Sequence, residues 1–371
     1  MTMKSLMVTA HDRRSKRRIS IHFLAEALGR RGVSRWYAIG FSLLSRAKGD
    51  PRVEVGHPAN RVEEVDGVTS FREETIVHPF NLRRAWAVPI ERAAFALYAA
   101  KPRPVLETWA AESDLIIVES GIPAVLIDRL RRAAPRAKLV YLASDDLETV
   151  GCSRAIVERF EASFPSIDLA VLPSPLLLDA MPDRTKCIHV PHGFERAPFD
   201  AVTPSPHGVG RHAVSVGSML FDRHFFEVAA PAFPEVTFHV VGGGPESQGL
   251  DLANVVVHPE TPFAETVPMI VHAAIGIAPY RDVGAPAYLV DTSLKLRQYR
   301  YAGLPTVCPR FAAGTDPSRF GYDPADPASI VAAVGRALAS PRFPVAATDF
   351  PSWDEVVDRI LDPAGHPETR L

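Results

Sequence analysis

SDLIIVESGIPAVLIDRLRRAAPRAKLVYLASDD, residues 113–146, holds an apolar run, a segment with helical spacing and a second apolar run, and each run ends on polar residues. Continuous rather than alternating apolar strands, joined by helices, belong to a parallel sheet covered on both faces. The pattern extends outward in both directions. SLMVTA (5–10) precedes the helical ISIHFLAEALGRRG (19–32), and AIVERFEASF (155–164) precedes DLAVLPS (168–174). HGFERAPFDAVTPSPHGVGRH (192–212) has the composition of a linker. The alternation then restarts with AVSVGS (213–218), FFEVAAPAF (225–233), VTFHVVGGGP (236–245), NVVVHPE (254–260), TVPMIVHAA (266–274), IGIAPY (275–280), TSLKLRQYRYAG (292–303) and LPTVCP (304–309). The expectation is an α/β protein of two consecutive units, 1–200 and 211–345, followed by a tail, 346–371. Within the tail, Trp353, Val356, Val357 and Ile360 share one helix face. That face can pack on the second unit or back on the first.

Of the 371 residues 47% are hydrophobic and 23% charged, a balance that supports a packed core. No apolar stretch reaches the roughly 18 residues of a membrane span, and the opening MTMKSLMVTAHDRR has too short an apolar run for a signal peptide. Cys152, Cys187 and Cys308 lie far apart with no CxxC, which suggests reduced thiols and a cytoplasmic setting. The net charge of −2 conceals an asymmetry. Residues 1–100 carry 17 Lys and Arg against 10 Asp and Glu, and the remainder 24 against 33, so the N-terminal part is +7 and the rest −9. Arg13, Arg14, Lys16, Arg17 and Arg18, with Arg83 and Arg84 beside Trp86 and the apolar PIERAAFALYAA (89–100), suit phosphates or an anionic membrane surface, or form an ordinary solvated face. No nucleic-acid partner is expected.

In open parallel sheets ligands bind beyond the carboxyl ends of the strands. Those positions carry His11 and Asp12, Glu119, Ser144, Asp145 and Asp146, and His192 and Gly193 in the first half. In the second half they carry Ser218 and Met219, Gly242 to Gly244, Glu260 and Tyr280. Any one of these residues alone is commonly a cap or turn; their recurrence suggests a shared cleft. The GGGP after VTFHVV is not GxGxxG, and there is no GxxxxGK[ST], GxSxG or DxD, nor a His/Cys set with metal-ligand spacing. Nicotinamide, P-loop and hydrolase chemistry are therefore disfavoured, and neither metal nor cofactor is expected. The informative segment is VDTSLKLRQY (290–299). Asp291, Thr292 and Ser293 are helix-start residues, and the amide-rich, positive helix end suits a phosphate. Lys295 and Gln298 follow on one face. His22, on an apolar helix face, reads as core.

HPFNLRRAW, DLIIVESGI, KLVYLASDDL, AVSVGSMLFD, FPEVTFHVVGGG, GIAPY, LVDTSLKLRQY, AGLPTVCP, RFGYDP and LDPAGHPETRL resemble, in order and spacing, glycosyltransferase family 70, the xanthan-type β-glucuronosyltransferases. The likeness covers nearly the whole chain. It implies the GT-B fold, two Rossmann-like domains facing a central cleft, with UDP-glucuronate held by the C-terminal domain. It also implies a polyprenyl-diphosphate-linked oligosaccharide ending in mannose as acceptor, taken up by the N-terminal domain of a peripheral protein at the cytoplasmic face of the inner membrane. The family's catalytic aspartate falls on Asp145. Its UDP contacts fall on Met219, Glu260, Tyr280, Ser293, Lys295 and Gln298. The chain departs from the family pattern at Leu142, before Ala143, and at Leu294, which stands where the family has a methionine before the lysine.

The leading expectation is an inverting transferase in which Asp145 deprotonates the acceptor hydroxyl, while Thr292, Ser293 and Lys295 meet the charge on the departing diphosphate. A non-catalytic nucleotide-sugar-binding scaffold and a GT-B UDP-sugar epimerase are the alternatives.

Overall fold

The computed structural model describes residues 2–15, 18–42, 52, 56–76, 80–282 and 286–371. Lys16 and Arg17 of the basic cluster, and the His78 and Pro79 that open HPFNLRRAW, lie outside the described residues. The chain divides into two compact units, Met1–Gly193 with Trp353–Leu371, and Phe194–Ser352.

The first unit is built on β1 (Met3–Thr9), β2 (Gly32–Ser42), β3 (Val62–Val65), β4 (Val68–Thr75), β5 (Leu115–Glu119), β6 (Lys138–Leu142), β7 (Leu169–Leu172) and β8 (Cys187–His189). Among the described residues these form one sheet in the order β3-β4-β2-β1-β5-β6-β7-β8, parallel except for the β3–β4 hairpin. That hairpin turns on Asp66 and Gly67, both at positive φ, as a two-residue turn matching strand twist requires. β5 and β7 are buried at every residue, which explains their unbroken apolar runs.

The second unit carries β9 (Arg211–Val216), β10 (Val236–Val241), β11 (Val255–His258), β12 (Ile275–Ile277), β13 (Thr306–Pro309) and β14 (Arg319–Tyr322), in the order β11-β10-β9-β12-β13-β14. Every pairing is parallel. Both sheets therefore reverse their winding direction at one point, between β1 and β5 in the first and between β9 and β12 in the second. Such switch points leave a crevice at the strand carboxyl ends, where ligands bind.

The unit boundaries differ from the expected 200 and 346, for a packing reason. Phe194 and Phe199 are buried against Tyr301 and Phe350, and the Phe194 N–H donates to the Pro351 carbonyl at 2.8 Å. What reads as a linker is thus partly core of the second unit. The terminal helix, Trp353–Leu361, groups with the first unit. Trp353 stacks on Phe23 with ring centroids 5.7 Å apart, and a Cβ on Gly193 would lie 2.4 Å from the Trp353 ring. Arg30 and Arg31 pair with Asp354 and Asp358, and the Lys138 ammonium donates to the Ile360 carbonyl at 2.7 Å.

Candidate functional site

At the first switch point, β1 and β5 stay paired through Val8 and Val118. Beyond that pair the Thr9 hydroxyl donates to Glu119 Oε2, and the Ser144 hydroxyl donates to Oε1 at 3.4 Å. Glu119 is buried, and burial, reinforced by the charge of Asp145, pushes its carboxyl up to about 7 despite the hydrogen bonds it accepts. The chain leaves β5 through Ser120 and Gly121, the latter at φ 105, a conformation glycine adopts without penalty. Ser120 Oγ accepts the Asp145 N–H at 3.1 Å, which ties the loop after β6 to the loop after β5. Asp145, half-buried, lines a cavity of about 410 Å³ with His11, Arg52, Asn81, Ser120 and Gly121. The neighbouring Asp146 accepts the Thr149 N–H at 3.0 Å, so it caps a turn; the following helix, Arg154–Ser163, is capped by Ser153.

Asn81 fixes a second feature beside this cavity. Its side-chain amide donates to the Gly151 and Cys152 carbonyls, each at 3.0 Å, while the Leu82 N–H donates to Glu91 at 2.7 Å. The segment so anchored presents Arg83 and Arg84, which line an adjoining cavity of about 300 Å³ with Arg154 and Glu148. It continues into the helix Val88–Ala100, which buries Phe95 and Tyr98 and leaves Ile90 and Leu97 exposed beside Leu82 and Trp86. Trp86 is 69% and Leu97 74% exposed, and Arg83 and Arg84 are exposed in the segment that leads into this helix. The other basic cluster behaves differently from the expectation. Arg13 and Arg18 both pair with Glu26, and Arg14 with Glu63, so these charges are used inside the unit.

At the second switch point, β9 and β12 pair only through Ala213 and Val214 with Ile275 and Gly276, then part. The Tyr299 hydroxyl fills the gap, accepting from the Val216 N–H at 3.0 Å and donating to the Ile277 carbonyl at 3.3 Å. Its ring needs Gly276, because a Cβ there would sit 2.5 Å from Tyr299 Cδ2. Tyr299 belongs to the helix Leu294–Tyr301, so the wedge fixes that helix against the strand ends. Ser293 is its N-cap, its Oγ accepting the Leu296 N–H at 3.2 Å. Thr292, expected to start this helix, instead closes the preceding turn, Leu289–Thr292.

The structure brings several expected donor-site residues together. The Tyr280 and Ser293 hydroxyls lie 2.5 Å apart, Lys295 Nζ is 5.3 Å from the Tyr280 ring centroid, and the same Nζ is 3.5 Å from the Gly217 carbonyl. Tyr280 is fully buried, and burial raises its hydroxyl pKa, so it acts here as a neutral support for Ser293 and Lys295. Gln298 is half-buried one turn along from Lys295. Glu260 is exposed, and its carboxylate comes within 3.0 Å of where a Cβ on Gly242 would stand. Met219, 46% exposed, projects from the loop after β9. His22 is fully buried, and burial together with Arg13 lowers its pKa to about 3, as befits a core histidine. His192, one of the strand-end candidates, lies against Trp353 with ring centroids 6.2 Å apart. Residue spacing missed the Tyr299 wedge and the cluster of His207, His212 and His239, because both join groups remote in sequence.

The family model for the N-terminal domain of the glucuronosyltransferase GumK matches residues 7–173. The chain is 44% identical over 366 residues to the UDP-glucuronate:glycolipid 2-beta-glucuronosyltransferase of Xanthomonas campestris pv. campestris, spanning 99% of this chain and 91% of that protein. Among solved structures, it is similar to a UDP-forming α,α-trehalose-phosphate synthase from Burkholderia xenovorans, with a TM-score of 0.61 at 12% identity, covering 98% of this chain and 100% of that one. A sucrose-phosphate synthase from Thermosynechococcus elongatus also matches, with a TM-score of 0.61 at 14% identity and 98% coverage of each chain. These structures establish the fold, which is GT-B.

The buried carboxyl of Glu119 makes stability depend on pH. Its folded-state pKa of about 7 lies above the ordinary 4.5, so the folded protein retains a proton that the unfolded chain has released. Stability should therefore fall as pH rises through that window and level off above it. Between pH 5 and pH 8 the wild type should lose about 2 to 3 kcal/mol relative to Glu119→Gln in urea titrations. Parallel stability curves for the two proteins would show that Glu119 is not a buried titrating carboxyl.

Proposed function

Since the chain belongs to the GumK glucuronosyltransferase family and is a glycosyltransferase, we propose that it moves glucuronate from UDP-glucuronate to a mannose-terminated, polyprenyl-diphosphate-linked oligosaccharide. The observation that carries the mechanism is Asp145 lining a cavity at a strand carboxyl end, with its own N–H anchored on Ser120. Asp145 takes the proton from the acceptor hydroxyl as that oxygen bonds to C1 of the sugar. The C1–O bond to the diphosphate breaks on the opposite face, its electron pair leaves with UDP, and the anomeric centre inverts. A carboxylate is a weak base, so proton transfer comes late, when the attacking oxygen has become acidic.

Lys295 and the amides at the start of the helix Leu294–Tyr301 meet the charge on the departing diphosphate. Gln298 adds a polar contact, and Glu260 and Met219 serve the ribose and base. Tyr280, Ser293 and Thr292 hold these groups in place. The relative from Xanthomonas is named for a glycolipid acceptor. An apolar patch of Trp86, Ile90 and Leu97 rimmed by Arg83 and Arg84 supports docking of this chain on an anionic membrane surface, next to the cavities. Among the described residues no helix is long and apolar enough to cross a membrane. We infer a peripheral protein at the cytoplasmic face of the inner membrane.

Incubation with UDP-glucuronate, UDP-glucose or UDP-galactose and a mannose-terminated lipid acceptor, read by mass, should give a glucuronosyl product alone. UDP binding without product would favour the non-catalytic scaffold, and donor conversion without acceptor the epimerase. Lys295→Ala should weaken UDP binding by roughly 1.5 to 3 kcal/mol in calorimetry, and an unchanged affinity would remove Lys295 from the site. The protein should sediment with anionic vesicles and be released by salt. Equal partitioning onto neutral and anionic vesicles would contradict the basic rim's assignment.

A further inference from the structure

Three histidines of the second unit converge on one point that the transfer chemistry does not use. His212 stands at the second position of β9 and His239 within β10, both buried, and the half-buried His207 lies on the Pro- and Gly-rich stretch entering β9. One ring nitrogen from each lies within 4.8 Å of the others. Their remaining nitrogens are held. His207 Nε2 is 2.9 Å from the Met269 carbonyl, His212 Nε2 is 3.1 Å from the Gly208 carbonyl, and His239 Nδ1 is 3.0 Å from His258 Nε2.

These partners decide which nitrogens can act as ligands. The two carbonyls accept only, so His207 and His212 carry their protons on Nε2 and leave Nδ1 bare. With a proton on His239 Nδ1 donated to His258, His239 Nε2 is bare as well. It then faces His212 Nδ1 at 3.0 Å. Two lone pairs at that distance repel unless a cation lies between them. Two nitrogens at 2.0–2.1 Å from one tetrahedral zinc stand about 3.3 Å apart, close to the observed separation. Without an ion the rings can instead pass protons down a neutral relay, with His258 donating to His239 and His239 to His212. Converting one form to the other moves protons only between ring nitrogens. The one geometric demand falls on His207, whose ring stacks on His212 at 10° and must turn about its soft χ2 to aim Nδ1 at the ion.

We propose that His207, His212 and His239 form a site for a late first-row divalent cation of the zinc class, with water as fourth ligand. The ion is structural. It clips the chain entering β9 onto the sheet, and its hydrogen-bonded ligands follow the pattern in which outer partners orient metal-binding imidazoles. Val216, which ends β9 at the candidate nucleotide site, lies four residues beyond His212, about 13 Å along the strand, so the ion takes no part in transfer.

The test uses the untagged full-length chain, stripped with chelator, returned to one equivalent of zinc and passed through gel filtration. One zinc per chain should be retained, and the melting temperature should rise by roughly 5 °C. His207→Ala, outside the strands, should weaken zinc binding at least tenfold and abolish the thermal shift while leaving the metal-free melting temperature nearly unchanged. His207→Cys should restore binding, because a thiolate ligates zinc. Failure to retain zinc, or an affinity that His207→Ala leaves intact, would overturn the proposal. Neither result bears on Asp145 or Lys295, so the glucuronosyltransferase reading stands or falls separately.

Discussion

The Tyr299 hydroxyl occupies the place where β9 and β12 separate, and the geometry of the second unit's strand ends depends on it. Parallel strands that part inside a covered sheet expose a backbone donor and an acceptor that water cannot reach, and each orphan costs about 1 to 3 kcal/mol. A phenol donates and accepts at once, so one side chain satisfies both Val216 and Ile277. The ring reaches that point only across Gly276. Because Tyr299 lies in the last turn of the helix that Ser293 caps, the same contact sets where Ser293, Lys295 and Gln298 stand.

The first unit meets the equivalent problem with side-chain oxygens. Thr9 and Ser144 donate to Glu119 just past the last paired residues of β1 and β5, and the result is a buried carboxyl close enough to Asp145 to feel its charge. A polar group kept at such a position needs partners, and here the loop that carries Asp145 supplies one of them. Packing of the sheet and placement of the proposed base are thus parts of one arrangement. Asp12, also at a strand end, is instead taken by the buried Arg72 and by the Arg14 N–H, and so serves the fold.

Fold class was legible because buried parallel strands leave unbroken apolar runs, as in β5 to β7, and because polar residues at their ends mark the crevice. That reasoning singled out Asp145 and Tyr280 as candidates, and the helix-start pattern of VDTSLKLRQY singled out Lys295. The β3–β4 hairpin went unread although its Asp-Gly turn between β-rich runs was a usable signal. Other differences arise from contacts remote in sequence. Phe194 and Phe199 look like parts of a linker until Tyr301 and Phe350 cover them. Arg13, Arg14 and Arg18 look like a free basic cluster until Glu26 and Glu63 pair with them. The histidines are brought together by adjacent strands, where ligand spacing along the chain carries no signal.

Asp145 is proposed as the proton acceptor in glucuronosyl transfer, and one substitution tests that role directly. Asp145→Asn keeps the shape of the side chain and removes its ability to take a proton. Calorimetry with UDP alongside turnover with the lipid-linked acceptor should show UDP affinity nearly intact and turnover lowered by roughly 10² to 10⁴. Near-normal turnover by Asp145→Asn would contradict the account.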